Sequence, residues 1–200
     1  MQTKNHNVQQ GTPEWFTLRL GRLTASEAQA IATDGKGLET LCIRLAAERL
    51  TGLPAEKWEG NADTERGKEL EAEARSLYAR THDDIEEVGF IEYGDYAGCS
   101  PDGLVSFDGG MEIKSPNDVR FLDLCLTGKI DTGYIWQVQM NLLITGREWW
   151  DFIAYNPHFK NPLYIQRITP DMKKHQALLA GIESGTKKIQ AIIAKMEAAQ

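Results

Sequence analysis

Two carboxylates and an ammonium are spaced for joint work between Gly98 and Ser115. The run reads Gly98-Cys99-Ser100-Pro101-Asp102-Gly103 and, after Leu104 to Met111, Glu112-Ile113-Lys114. Side chains alternate faces along a strand, so Glu112 and Lys114 share one face and Ile113 points the other way, into a core. Asp108-Gly109-Gly110 is a hairpin signal that folds this strand back on Gly103 to Phe107. Asp102, just ahead of that partner strand, then lies near Glu112. Two carboxylates suit Mg²⁺, which takes oxygen ligands in octahedral geometry and keeps several waters. Such an ion activates water and neutralises charge on an attacked phosphate, while Lys114 orients the water or stabilises developing charge. The chemistry that fits is phosphodiester hydrolysis. Each residue also has an ordinary reading. Ser-Pro-Asp-Gly is a common turn and Glu-x-Lys a common solvated strand face. Spacing and hairpin together favour the catalytic one.

The elements that must position these residues follow from periodicity. A short polar arm precedes Gly11. Thr12 reads as an N-cap, Pro13 as the first helical position and Glu14 as a first-turn acid of a helix through Arg19. A second helix is expected from Ser26, with Ala28, Ala30 and Ile31 inward. Leu38, Leu41, Cys42, Leu45 and Ala46 recur at helical spacing and Gly52 stops that helix. Leu70, Ala74, Leu77 and Tyr78 mark another between about Thr64 and Arg80. The period then changes: Ile85 to Tyr93, Tyr96 to Cys99, Gly103 to Phe107 and Met111 to Lys114 read as strands. A helix rich in Val138, Met140 and Leu142 ends at Gly146. Glu148 to Tyr155 and Leu163 to Ile168 are two further strands, and Pro170-Asp171 opens a C-terminal helix. This order predicts a three-layer α/β domain with a mixed central sheet flanked by helices, a single unit over residues 1–200 with arm 1–11 and terminal helix 170–200.

Composition bounds the partners. With 42% apolar and 26% charged residues the chain buries a real core. No apolar stretch spans a bilayer, and the N-terminus has no apolar signal core, so a cytoplasmic setting is expected. Cys42, Cys99 and Cys125 are scattered, which argues against a disulfide scaffold or a four-cysteine metal site. A net charge of -7 points away from a DNA-coating protein but allows an enzyme with a carboxylate-bound cation and locally concentrated basic residues. His82, His158 and His175 show no metal-ligand spacing. Trp149-Trp150 reads as strand packing rather than a stacking platform for bases.

Pro101-Asp102 followed by Glu112-Ile113-Lys114 resembles the PD-(D/E)xK nuclease signature. The blocks Trp15-Phe16-Thr17-Leu18-Arg19-Leu20-Gly21-Arg22-Leu23-Thr24-Ala25-Ser26, Gly67-Lys68-Glu69-Leu70-Glu71, Ser100-Pro101-Asp102-Gly103 and Gln137-Val138-Gln139 narrow the likeness. In this order, over about Trp15 to Tyr155, they resemble the phage lambda exonuclease and YqaJ-type viral recombinase family. The resemblance implies a restriction-endonuclease-like fold. It implies Asp102, Glu112, the Ile113 carbonyl and Glu71 as ligands of a two-metal Mg²⁺ site that Mn²⁺ would also fill. Lys114 would be the catalytic lysine, and Gln137 would help place the nucleophilic water. Arg19, Ser26, Ser100 and Lys36 would bind a 5′-terminal phosphate. Periodicity alone favours Glu71 as a solvated acid in a run with Glu65, Glu69 and Glu73, and reads Arg19 equally as a surface cation, Ser26 as a helix cap and Gln137 as helix surface.

The family further implies 5′→3′ digestion of one strand of linear duplex DNA, a ring-shaped homotrimer, and work beside a single-strand annealing protein in a phage-infected or lysogenic bacterial cytoplasm. Two rivals stay open: an endonuclease or RecB-like nuclease, which needs no Arg19 and Ser26 block, and an inactive DNA-end-binding recombination factor, which has no need of an intact Asp102, Glu112 and Lys114.

Overall fold

The computed structural model describes residues 2–55, 62–82 and 84–199, with backbone alone for 62–65 and 68. The side chains of Glu65 and Lys68, part of the acidic run and of the Gly67 to Glu71 block, lie outside the described residues. The polar arm is in fact a strand, β1 (Thr3–His6). Its alternation is invisible because both faces are polar; the register with a later strand supplies the order. Thr12 caps α1 (Pro13–Arg19) by accepting from the Trp15 N–H, as its type predicts. A short β2 (Leu23–Thr24) leads through a 3₁₀ turn at Ala25–Glu27 into α2 (Ala28–Thr33). Ala28 and Ile31 are buried, Ala30 half-buried, and Ser26 sits in the 3₁₀ turn without capping either helix. The helix α3 (Lys36–Thr51) buries its expected stripe and ends where Gly52 turns left-handed at φ 68°.

After α4 (Ala62–Tyr78) the predicted strand Ile85 to Tyr93 divides into β3 (Ile85–Glu86) and β4 (Phe90–Tyr93), in different sheets. Between them Gly89 is required, because a Cβ there would stand 2.0 Å from the Val8 carbonyl. β5 (Ala97–Cys99), β6 (Gly103–Val105) and β7 (Gly109–Lys114) follow. The turn between the last two is Ser106-Phe107-Asp108, with Ser106 at φ 49°, while Gly109 and Gly110 are strand residues paired with Val105 and Leu104. These glycines serve packing rather than the turn: a Cβ would lie 2.1 Å from the Trp149 ring at Gly109 and 2.3 Å from the Trp150 ring at Gly110. A helix not foreseen, α5 (Asp118–Thr127), is capped by Asn117 and ended by left-handed Gly128. α6 (Thr132–Thr145), β8 (Trp149–Tyr155), β9 (Leu163–Ile168) and α7 (Met172–Glu197) complete the order.

The strands form two mixed sheets rather than one, a four-stranded β1-β4-β5-β2 and a five-stranded β3-β6-β7-β8-β9. β7 and β8 run parallel, joined by the crossover through α5 and α6. On one face of the larger sheet Met111, Ile113, Ile153 and Tyr155 pack with Ala74 and Tyr78 of α4. On the other, Phe152 and Ala154 meet Phe121 and Leu124 of α5. α2, α3, α6 and α7 bury the main core against the smaller sheet. Trp150 is fully buried and Trp149 lies under the Arg167 guanidinium at 3.6 Å, so this pair does pack the strand. Among the described residues no helix is long and apolar enough to cross a membrane.

Candidate active site

Gly103 pairs with Met111 across the β6–β7 ladder, so Asp102 falls opposite Glu112 one step beyond it. Asp102 Oδ2 accepts from the Ile113 N–H at 2.6 Å, which fixes the carboxylate on the strand. Ile113 turns its side chain into the core under α4, and Glu112 and Lys114 turn to the α6 side, as alternation requires. There Lys114 Nζ donates to Glu112 Oε1 at 2.6 Å and Gln137 Nε2 donates to the same oxygen at 2.5 Å. Asn141 Nδ2 holds the other oxygen, Oε2, at 3.0 Å. Tyr134, Gln137 and Asn141 stand at i, i+3 and i+7 on α6, so one helix face serves the site, with the Tyr134 ring 5.3 Å from the Lys114 ammonium.

Glu71 reaches the site from α4. Its Oε1 accepts from Arg75 Nη2 at 2.5 Å, one turn on, and Arg75 Nε donates to the Asp102 carbonyl at 3.2 Å. Arg75 also faces Glu87 at 3.1 Å. Glu71, Arg75 and Asp102 open on a cavity of about 580 Å³ whose other wall includes Gln10, Trp15 and Gly89. Gln10 Nε2 bonds the Pro101 carbonyl at 2.9 Å, so the N-terminal segment braces the loop that carries Asp102.

The electrostatics are those of crowded anions. Burial, then the Asp102 charge, pushes Glu112 up to about 7, against Lys114 and Asn141. The same two causes push Glu71 up to about 7, against Arg75 and Lys114. Burial raises Asp102 as well. For Lys114 burial works against the charge, but Glu112 and Asp102 outweigh it and hold the ammonium protonated well above its usual range.

Three of the four residues expected to bind a terminal phosphate meet in a second place. Arg19 Nη1 donates to Ser100 Oγ at 3.1 Å and Nη2 to Thr24 Oγ1 at 3.4 Å; the Thr24 and Ser26 hydroxyls are 3.2 Å apart. Trp15 lies under the guanidinium at 4.4 Å and donates from Nε1 to Ser100 Oγ at 2.9 Å. Burial holds the Arg19 pKa below its ordinary value, with Glu27 opposing. Arg19, Thr24 and Ser26 wall a cavity of about 270 Å³. Ser100 and Asp102 belong to one loop, two residues apart and so within about 7 Å along the chain. Lys36 is not brought here. It is the exposed first residue of α3 and does not line the cavity.

Arg75, Asn141 and Tyr134 escaped the sequence reading. Arg75 and Asn141 each lie four residues beyond a residue that was singled out, Glu71 and Gln137, and that spacing is the signal available. Gln139, in the same block as Gln137, serves the scaffold: its amide bridges the Thr169 carbonyl at 2.9 Å and the Asp171 N–H at 2.8 Å. The histidines stay outside the site, His82 stacked on Tyr78 at 3.9 Å, His158 against Asp118 at 2.9 Å and His175 buried in α7.

The pattern of the YqaJ-like viral recombinase domain matches residues 14–148. The chain belongs to that family. It is similar in structure to LHK-Exo, an alkaline exonuclease from Laribacter hongkongensis, solved alone and in complex with dAMP: TM-score 0.85, 33% identity, 94% of this chain and 97% of that one. A phage-related exonuclease from Haemophilus somnus 129PT matches with TM-score 0.61 at 15% identity, over 88% of this chain and 96% of that one, a likeness of fold alone. The YqaJ-like domain described here thus has the restriction-endonuclease-like fold of these exonuclease structures. A comparison with curated proteins yields no match.

Proposed function

We propose that this YqaJ-like protein is a metal-dependent 5′→3′ exonuclease that digests one strand of linear duplex DNA to mononucleotides and leaves 3′ single-stranded DNA for recombination. The observation that carries the reading is the single loop joining two sites. Ser100 Oγ accepts from Arg19, which walls one cavity, while Asp102, two residues on, accepts from the Ile113 N–H between Glu112 and Lys114. A 5′-phosphate held at the first would present the next phosphodiester at the second, and each cut would leave a new 5′-phosphate to take the same place. The alkaline exonuclease LHK-Exo, bound to dAMP in its crystal, supports a deoxymononucleotide product.

The donor set fits a hard divalent cation. It is all oxygen, and burial raises the pKa of both carboxylates, with the Asp102 charge raising Glu112 further. Asp102, Glu112 and the Ile113 carbonyl would hold Mg²⁺ or Mn²⁺. Among the described residues no three acidic, histidine or cysteine side chains are gathered closely enough to do so as they stand. The reason is visible: Glu71 is turned to Arg75, so its share in a second metal site requires that ion pair to open. Such a cation supplies Lewis-acid activation of water and charge neutralisation at the phosphate. Lys114, kept protonated, acts as a fixed positive charge beside the scissile phosphate and not as a base. Gln137 spends its N–H on Glu112, which leaves its carbonyl to accept from the attacking water. A ring of three copies and an annealing protein downstream belong to the same proposal; they would let an acidic chain of net charge -7 hold DNA by concentrating its cations in a channel.

The test is one duplex in linear and covalently closed circular form, incubated with Mg²⁺. The proposal expects the linear form to yield mononucleotides and the circle to survive; nicking of the circle would show an endonuclease instead.

A further inference from the structure

The cavity beside Arg19 contains a second guanidinium that the mechanism above does not use. Arg44 projects from α3 into the space walled by Arg19, Thr24 and Ser26. It is engaged by two acids, Glu27 of the 3₁₀ turn in close contact and Glu48 at 3.5 Å. The other cation of the cavity, Arg22, is committed elsewhere, to the Gly94 carbonyl at 3.0 Å and Glu92 at 2.8 Å. Glu48 has its own anchor, since its Oε2 accepts the Gly21 N–H at 2.9 Å, so it stays satisfied when Arg44 moves. Glu27 is different. One oxygen meets Arg44 and the other meets the Thr24 hydroxyl at 3.4 Å, the same hydroxyl that receives Arg19 and neighbours Ser26. The carboxylate therefore bridges Arg44 and the Thr24 hydroxyl, next to Arg19 and Ser26, where an incoming anion would sit.

We propose that Arg44 is the second guanidinium of the terminal-phosphate pocket and that Glu27 is a built-in stand-in for the phosphate, displaced when a DNA end arrives. This rests on the reading of the Arg19 cavity as a 5′-phosphate site. The charge count gives it a purpose. A terminal phosphate monoester carries close to two negative charges at neutral pH, a phosphodiester within the strand only one. Arg19 alone matches the diester; Arg19 with Arg44 matches the monoester, each through forked, charge-assisted bonds. Glu27 holds Arg44 ready and competes with an incoming anion for it. The two guanidiniums together make the pocket selective for true ends.

The experiment measures binding without divalent cation, by fluorescence anisotropy, of one duplex with 5′-phosphate and with 5′-hydroxyl ends, with inorganic phosphate as competitor. Wild type should prefer the phosphorylated end, and inorganic phosphate should erase that preference. Glu27→Gln should enlarge it several-fold, because nothing then competes for Arg44. Arg44→Met combined with Glu27→Gln, which removes the ion pair whole, should shrink the preference about tenfold, the size of one charge-assisted hydrogen bond. Arg44→Lys should recover part of it by restoring charge without the fork. A double variant with the wild-type preference, in a protein where Arg19→Ala abolishes it, would reduce Arg44 to an ion pair bracing α3 while the pocket stood. If Arg19→Ala also left the preference unchanged, the pocket and the proposal would fall together. Should the Arg44 variants not fold, Glu27→Gln decides: an unchanged or smaller preference overturns the proposal.

Discussion

Around Asp102 and Glu112, burial raises the pKa of carboxylates; around Arg19, on the far side of the same loop, it lowers that of a guanidinium. The two regions are built of opposite charges and share one condition. Each takes charged groups out of water and answers them with internal partners: Lys114 and Arg75 among the acids, Glu27, Glu48 and Ser100 among the guanidiniums. A site that only stabilised the fold would gain from neutral, well-packed residues here. On the function proposed above both regions are completed from outside, one by a cation and one by an anion, and phosphodiester hydrolysis at a DNA end would supply both.

Three experiments break or sharpen that contrast. Lys114→Ala should lower hydrolysis by roughly 10²- to 10³-fold, the usual loss on removing one preorganised charge from a reacting centre, with duplex binding retained. A binding defect as large as the rate defect would move Lys114 from the reaction to the grip. Arg19→Ala should slow digestion of 5′-phosphorylated ends about tenfold or more and leave 5′-hydroxyl ends nearly unchanged, as befits a charge-assisted contact to the phosphate. Equal slowing on both ends would remove Arg19 from the pocket. The smallest effect is on stability. Glu112 and Glu71 move from an ordinary 4.5 up to about 7 in the fold, so their share of the metal-free stability is present below about pH 4.5 and lost as pH rises through about 7. Mg²⁺ should thus raise the melting temperature by a few degrees at pH 8 and by less at pH 5, where it must displace protons. An equal rise at both would separate the acids from the cation.

The clustering of Asp102, Glu112 and Lys114 was legible because these residues sit on or beside a strand. A period of two assigns Glu112, Ile113 and Lys114 to faces without knowledge of anything else, and the hairpin brings Asp102 across from them. Arg75 and Asn141 were not, since a helix period shows which residues share a face and not what that face meets. Local pattern failed in a similar way for the scaffold. β1 has no apolar face to alternate, and its order comes from pairing with β4 across most of the N-terminal half. α5 carries Phe121 and Leu124 inward but Val119, Leu122 and Leu126 outward, which blurs the stripe that marks a helix. Gly109 and Gly110 imitate a turn because two tryptophans from a strand far along the chain press on them. Lys36 shows the limit of carrying a role by neighbourhood in sequence: it follows a loop near Ser26 but is exposed at the start of α3 and does not line the cavity that Ser26 helps wall.

The most direct test of the shared loop is the first product released from a 5′-end-labelled duplex, followed by rapid quench with Mg²⁺. If the Arg19–Ser100 pocket and the centre at Asp102 take successive phosphates, the label on a 5′-phosphorylated strand leaves as a mononucleotide and does so faster than from a 5′-hydroxyl strand. Release of the label in longer oligonucleotides, or loss of a 3′ label first, would contradict the account.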